Sequence, residues 1–157
     1  MARKAGKKMR GTKDFRPMDM KAYSIDDRFW KNKMEVVRTK MIPYQWKALN
    51  DLVEDAAPSH CVKNFRIAAG MEKGDFQGCV FQDSDLAKWL EAVGYTLAWK
   101  KDRELEQMAD EVIAVIEKAQ QPDGYLDTYY IINGLEKRWT NLRDNHELYC
   151  AGHMIEA

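Results

Sequence analysis

The chain has 157 residues, 45% of them apolar and 32% charged, a globular rather than a disordered balance. Lys plus Arg and Asp plus Glu both count 25, so no overall field draws the protein to nucleic acid or to an anionic membrane. No run approaches the ~20 apolar residues of a membrane span.

The basic start, MARKAGKKMRGTK, leads into no apolar stretch, so it is not a secretory signal. Cys61, Cys79 and Cys150 lie far apart, form no CxxC pair and are odd in number, which points to a reducing, cytoplasmic compartment. Residues 1–40 carry 13 basic against 5 acidic groups, and residues 41–157 carry 12 against 20. Residues 1–22 read as a basic flexible tail. With no aromatic residue before Phe15 it lacks a platform for stacking bases.

Beyond the tail the pattern is helical. A helix opens at Ser24 or Asp26 and runs to Met41. Pro43 interrupts or restarts it, and the helical pattern continues to about Ala57. Residues 58–80, punctuated by Pro58, Gly70, Gly74 and Gly78, read as irregular. The next helix is capped by Asp83 or Ser84, and Leu86, Trp89, Leu90, Val93 and Leu97 form its stripe. Gly94 inside it suggests close packing against a neighbouring helix. After a very short link, Asp102 caps a helix over residues 102–119, with Leu105, Met108, Ala109, Val112 and Ile116 on one face. So short a link makes these two an antiparallel hairpin.

Gln121-Pro122-Asp123-Gly124 stops that helix as a turn, and residues 121–143 read as irregular, with extended character at 125–132. A last helix, capped by Asp144 or Asn145, has His146 in its first turn and runs to Ala157 without a stop signal, as a fragment would. The fold expected is all-α, built of antiparallel hairpins with long loops at one end.

Three groupings could carry chemistry. His146, Cys150 and His153 fall on one face of the last helix, as metal ligands can. The bland reading is two hydrogen-bonded histidines and a small buried cysteine, with no metal held in this chain. His146-Glu147-Leu148-Tyr149-Cys150 approaches the HExxH zinc-protease helix but has Cys where the second His is needed. Gln82, Asp83 and Asp85 sit at a helix N-terminus near Phe81 and Trp89. The acids either cap backbone N–H groups or bind vicinal sugar hydroxyls. Gln120 to Asp127 could line a cleft, with Tyr125 as a stacking surface.

Taken in order, YQWKALND, NFRIAAG, FQDSD-x-x-KWLEA, AQQPDGYLDTYY and HELY-x-x-GH-x-IEA resemble the N-terminal part of glycoside hydrolase family 127, the β-L-arabinofuranosidase family. The resemblance implies that residues 23–157 are the N-terminal portion, about the first third, of an (α/α)6 barrel of helical hairpins. It implies retaining hydrolysis of terminal β-L-arabinofuranosyl groups of an oligosaccharide or glycoconjugate. It also implies a zinc-held cysteine thiolate as nucleophile and a nearby glutamate as acid/base, all downstream of Ala157. None of this chain's cysteines matches those positions, so the piece alone is expected to be inactive. His146 matches the family's sugar-contacting histidine, and Asp83 and Gln82 are further candidates for substrate contact. The competing readings are another α/α-barrel carbohydrate enzyme, of epimerase or unsaturated glucuronyl hydrolase type, and a free-standing helical interaction domain.

Overall fold

The computed structural model describes residues 19–157, so the basic stretch 1–18 lies outside the described residues. Just before residue 23, Met20–Ala22 form a 3-10 turn against the later helix α4. Helix α1 spans Arg28–Val36, and Asp27 caps it by accepting from the Trp30 N–H at 2.9 Å. Pro43 does not break the run. It stands in the first turn of α2 (Ile42–Leu49), where its missing N–H does little harm. A π turn over Val37–Met41 joins the two helices, with the Ile42 N–H reaching five residues back to the Val37 carbonyl.

Helix α2 ends at Leu49, well before the expected Ala57. Asn50 leaves the helical region, Asp51 turns left-handed at φ 60°, and Leu52 N–H bonds the Lys47 carbonyl at 2.8 Å. The stretch expected to be irregular contains α3 (Cys61–Ala68), which buries Cys61, Val62, Asn64 and Phe65. Gly70, at φ 68°, stops it in the left-handed conformation that glycine adopts without strain.

Helices α4 (Asp83–Trp99) and α5 (Arg103–Ala119) form the hairpin. Asp102 caps α5, accepting from Leu105 N–H at 3.2 Å. The same carboxylate bonds Arg38 at 2.9 Å, and Glu35 pairs with both Arg38 and Lys100, tying α1 to the hairpin link. The expected extended segment is instead a short helix, α6 (Thr128–Asn133). Its Tyr-Tyr-Ile-Ile run suits a strand, but strand preference needs a partner and the described residues contain no strand. The Asp127 cap on Tyr130 N–H, at 3.1 Å, decides the matter. Helix α7 spans Glu147–Glu156 and lies alongside α4. Its first turn is beside Ser84 and Lys88, and Met154 is beside Leu90 and Val93, so the two helices run parallel.

The core sits where α2, α3, α4 and α5 meet, around Phe65, Leu86, Trp89, Val93 and Val112. Trp89 stacks on Trp46 at 4.7 Å and donates its indole N–H to the Ile42 carbonyl at 3.1 Å. Gly94 is not a close-packing point, because a Cβ there would meet open space. Among the described residues no helix is long and apolar enough to cross a membrane.

Candidate functional site

The parallel α4 and α7 bring their N-terminal ends together, and the candidate residues gather there. Asp83 is the first residue of α4, yet it does not cap that helix. It is 4% exposed and accepts two bonds from Thr128, N–H at 2.7 Å and Oγ1–H at 2.6 Å. Burial pushes its carboxyl up to about 6, against the pull of the two Thr128 bonds. Asp83 therefore anchors the α6 loop to α4 instead of standing at a pocket mouth. Gln82 is the residue that precedes α4, and its Oε1 accepts from Cys79 N–H at 2.8 Å. That carbonyl lies under Gly78, at φ 93°, where a Cβ would come within 1.9 Å of it. A side chain at 78 would have to push the Gln82 amide aside and adopt a strained φ, so the position favours glycine.

His146 is not in the first turn of α7. It is the N-cap residue, left-handed at φ 56°, and its side chain caps nothing. Asn145, expected as a cap, donates instead to the Tyr130 hydroxyl at 2.7 Å. The His146 ring is exposed and edge-on to Phe81 at 5.5 Å and to Tyr149 at 6.1 Å, and Tyr149 contacts His153 at 4.6 Å. Lys88 of α4 donates to the Tyr149 hydroxyl at 2.8 Å and to Ser84 Oγ at 3.1 Å. The result is one band across both helix ends: Phe81, His146, Tyr149, Lys88 and Asp85. Flat apolar rings beside hydroxyl-binding donors and acceptors suit a sugar, which has both C–H faces and hydroxyls.

Behind the band lies a buried acidic set that sequence reasoning passed over. Glu147 is 1% exposed; its Oε1 accepts from the Tyr125 hydroxyl at 2.6 Å, and both its oxygens accept from Trp139 N–H, at 3.0 and 2.9 Å. Burial, then the Glu147 bond, drives the Tyr125 phenol far above its usual range, so it stays a donor. Tyr125 is thus a buried support with 7% exposure, not a stacking surface. Asp127, 1% exposed, caps α6 through Oδ1, while its Oδ2 is buried without a hydrogen-bond partner. Burial first, and then the neighbouring Asp83 charge, push its carboxyl up to about 7. The one sequence signal for this set was position: each acid stands at or just before the first residue of a helix.

Trp139, at φ 63°, is left-handed like His146. For non-glycine residues this conformation costs of order 1–3 kcal/mol each and persists only where surrounding contacts impose it.

The zinc site that the family resemblance implies would be held by residues downstream of Ala157, and the grouping of His146, Cys150 and His153 does not form a metal site of its own. His146 precedes the helix, so the helical spacing to Cys150 and His153 does not bring the three together. Among the described residues no three His, Cys, Asp or Glu side chains converge on a metal position. Burial raises the thiol of Cys61 and pushes that of Cys150 up to about 12, so both stay protonated near neutral pH.

An all-helical chain with the α4–α5 hairpin and the N-terminal ends of α4 and α7 brought together beside α6 has the architecture of part of an α/α catalytic domain. The family model described as "Beta-L-arabinofuranosidase, GH127 catalytic domain" matches residues 23–157. The non-reducing end β-L-arabinofuranosidase of Bifidobacterium longum subsp. longum is 40% identical over 150 residues, covering 85% of this chain and 23% of its own. The crystal structure of Ara127N, a GH127 β-L-arabinofuranosidase from Geobacillus stearothermophilus T6, superposes with a TM-score of 0.83 at 64% identity, over 85% of this chain and 21% of that one. A second solved GH127 β-arabinofuranosidase gives a TM-score of 0.74 at 28% identity, over 89% and 22%. The chain belongs to glycoside hydrolase family 127 and corresponds to the N-terminal part of its catalytic domain. It spans about a fifth of the length of these relatives.

Proposed function

We propose that this chain forms one wall of the sugar pocket of a retaining β-L-arabinofuranosidase that acts in the cytoplasm on terminal β-L-arabinofuranosyl groups, with neither nucleic acid nor a membrane as partner. His146 and Gln82 contact sugar hydroxyls, Phe81 and Tyr149 face the C–H surface of the ring, and Asp83 fixes the loop behind them. The zinc-held thiolate and the acid/base glutamate belong to other residues of the complete domain. The observation that carries the reading is the placing of His146: exposed, left-handed, flanked by two rings, in a chain 64% identical to a GH127 β-L-arabinofuranosidase.

The test is a graft of residues 23–157 in place of the matching segment of Ara127N, assayed on an aryl β-L-arabinofuranoside. The grafted enzyme is expected to turn over, and the 157-residue chain alone is not. In the graft, His146→Ala should lose about 2–4 kcal/mol of transition-state binding, roughly 30- to 1,000-fold in kcat/KM. His153→Ala should lower the melting temperature more than the rate, because its ring packs on Tyr149. Full activity in His146→Ala, or turnover by the isolated chain, refutes the assignment.

A further inference from the structure

We propose that Glu147 is a positioning residue: its buried side chain clamps the two left-handed residues Trp139 and His146 together and so holds the His146 imidazole on the sugar-facing band. The proposal rests on the sugar-contacting role given to His146 above, although the clamp itself can be tested without it.

Three observations carry the proposal. First, nothing on the side chain of His146 secures its backbone: the residue is an N-cap that makes no capping bond. What fixes the turn is its neighbour. Glu147 is locked in the interior by the Tyr125 hydroxyl and by Trp139 N–H, so the backbone at 146 must turn left-handed to bring the chain from the surface into the buried start of α7. Second, the same carboxylate holds the far end of the loop. Trp139 donates its N–H to both carboxylate oxygens, and its ring sits edge-on to Tyr125 at 5.1 Å. Residues 139–146 therefore form a loop whose one strained end, Trp139, is bonded to the side chain of the residue that follows its other strained end, His146. Third, a related pairing occurs in the same molecule. The other two non-glycine residues with positive φ among those described are Asp51 and His60, and Asp51 Oδ1 accepts from His60 N–H at 2.8 Å. There the exposed carboxylate of one left-handed residue holds the backbone of the other, whereas Trp139 is held by the buried carboxylate of the residue that follows His146. Local strain imposed by a buried polar anchor is how a fold keeps a ligand-facing side chain in one orientation.

The clamp is read by hydrogen exchange on the 157-residue chain. In Glu147→Ala the Trp139 amide, which bonds the carboxylate, and the Cys150 amide, which bonds the His146 carbonyl at 3.0 Å, should both exchange at least tenfold faster. Glu147→Gln keeps an acceptor at Oε1 for Tyr125 and Trp139 but puts an amide donor where Oε2 accepted from Trp139 N–H, so it should accelerate both amides clearly less than Glu147→Ala does. Should Glu147→Ala fail to fold, Tyr125→Phe, which removes one donor, should give a smaller acceleration at the same two amides. Faster exchange at Trp139 with Cys150 unchanged overturns the proposal, as does a Glu147→Gln variant that behaves like Glu147→Ala.

In the graft, Glu147→Ala should lose about 100-fold in kcat/KM, the cost of misplacing a contacting group, and should add nothing to His146→Ala in the double variant. Additive losses overturn the positioning role. If the grafted parent is inactive, or if His146→Ala keeps its full rate, the sugar-pocket reading fails, and the exchange arm still decides the clamp.

Discussion

Asp83 and Asp127 make the stability of this chain fall as pH rises through neutrality. Each carboxyl is more basic in the fold than in the open chain: Asp83 moves from 3.8 to about 6 and Asp127 from 3.8 to about 7, with burial as the leading cause in both. The folded state therefore holds protons that the unfolded state has released. The stabilisation is complete below pH ~4 and is lost as pH rises through ~6 to 7. A shift from 3.8 to about 6 corresponds to roughly 3 kcal/mol once ionisation is complete, and the Asp127 shift to somewhat more. Because the two groups interact, they titrate as a pair. Between pH 5 and 8 the loss should be several kcal/mol, on the order of 10 °C in melting temperature for a chain of this size. Surface carboxylates held low, Asp26 by Lys31, Glu35 by Lys100, and Asp123 by the Tyr125 N–H and then by Arg138, act in the opposite direction, but only at pH values below ~4.

The assay is thermal unfolding followed by circular dichroism at pH 5, 6, 7 and 8. Asp127→Asn keeps the Oδ1 acceptor for Tyr130 N–H and removes the charge, so it should stabilise the chain at pH 8 and flatten the slope by more than half. Asp83→Asn should flatten it too. A melting temperature that rises from pH 5 to pH 8, or an Asp127→Asn slope equal to that of the parent, refutes the reasoning.

Two further outcomes follow from packing. A furrow of about 580 Å³ between α4, α5 and α7 is lined by Leu90, Leu97, Ile113, Ile116 and Met154, so the isolated chain should associate and bind apolar dyes. Ile113→Lys, at a half-exposed position, should reduce both without lowering the melting temperature, whereas a parent chain that stays monomeric by light scattering and binds no dye contradicts this. Gly78→Ala should cost about 1–3 kcal/mol, because its Cβ would strike Gln82 and because φ 93° is strained for alanine. Adding Gln82→Ala should recover only the steric share; full recovery in a thermal melt would remove the backbone argument.

What the sequence determined by itself was local or repetitive. The stripes of α4 and α5, the Asp102 cap and the short link between them are encoded within single turns of helix, and the all-α class and the hairpin were legible from them. The family was legible because long motifs such as FQDSD and HELY keep their order and spacing. Where local signals competed, tertiary structure decided. Tyr-Tyr-Ile-Ile became α6 because no strand among the described residues was there to pair with it, and residues 61–68 became α3 because a short helix could bury Cys61, Val62 and Phe65 under α4 and α5. The site divided in the same way. Residue types and spacing marked out Gln82, Asp83 and His146, but whether Asp83 faces solvent or Thr128, and whether His146 lies inside or before its helix, depends on contacts 45 residues away in one case and on Glu147 meeting Trp139 in the other. Such contacts form only when the chain closes on itself, so no window along the sequence contains them.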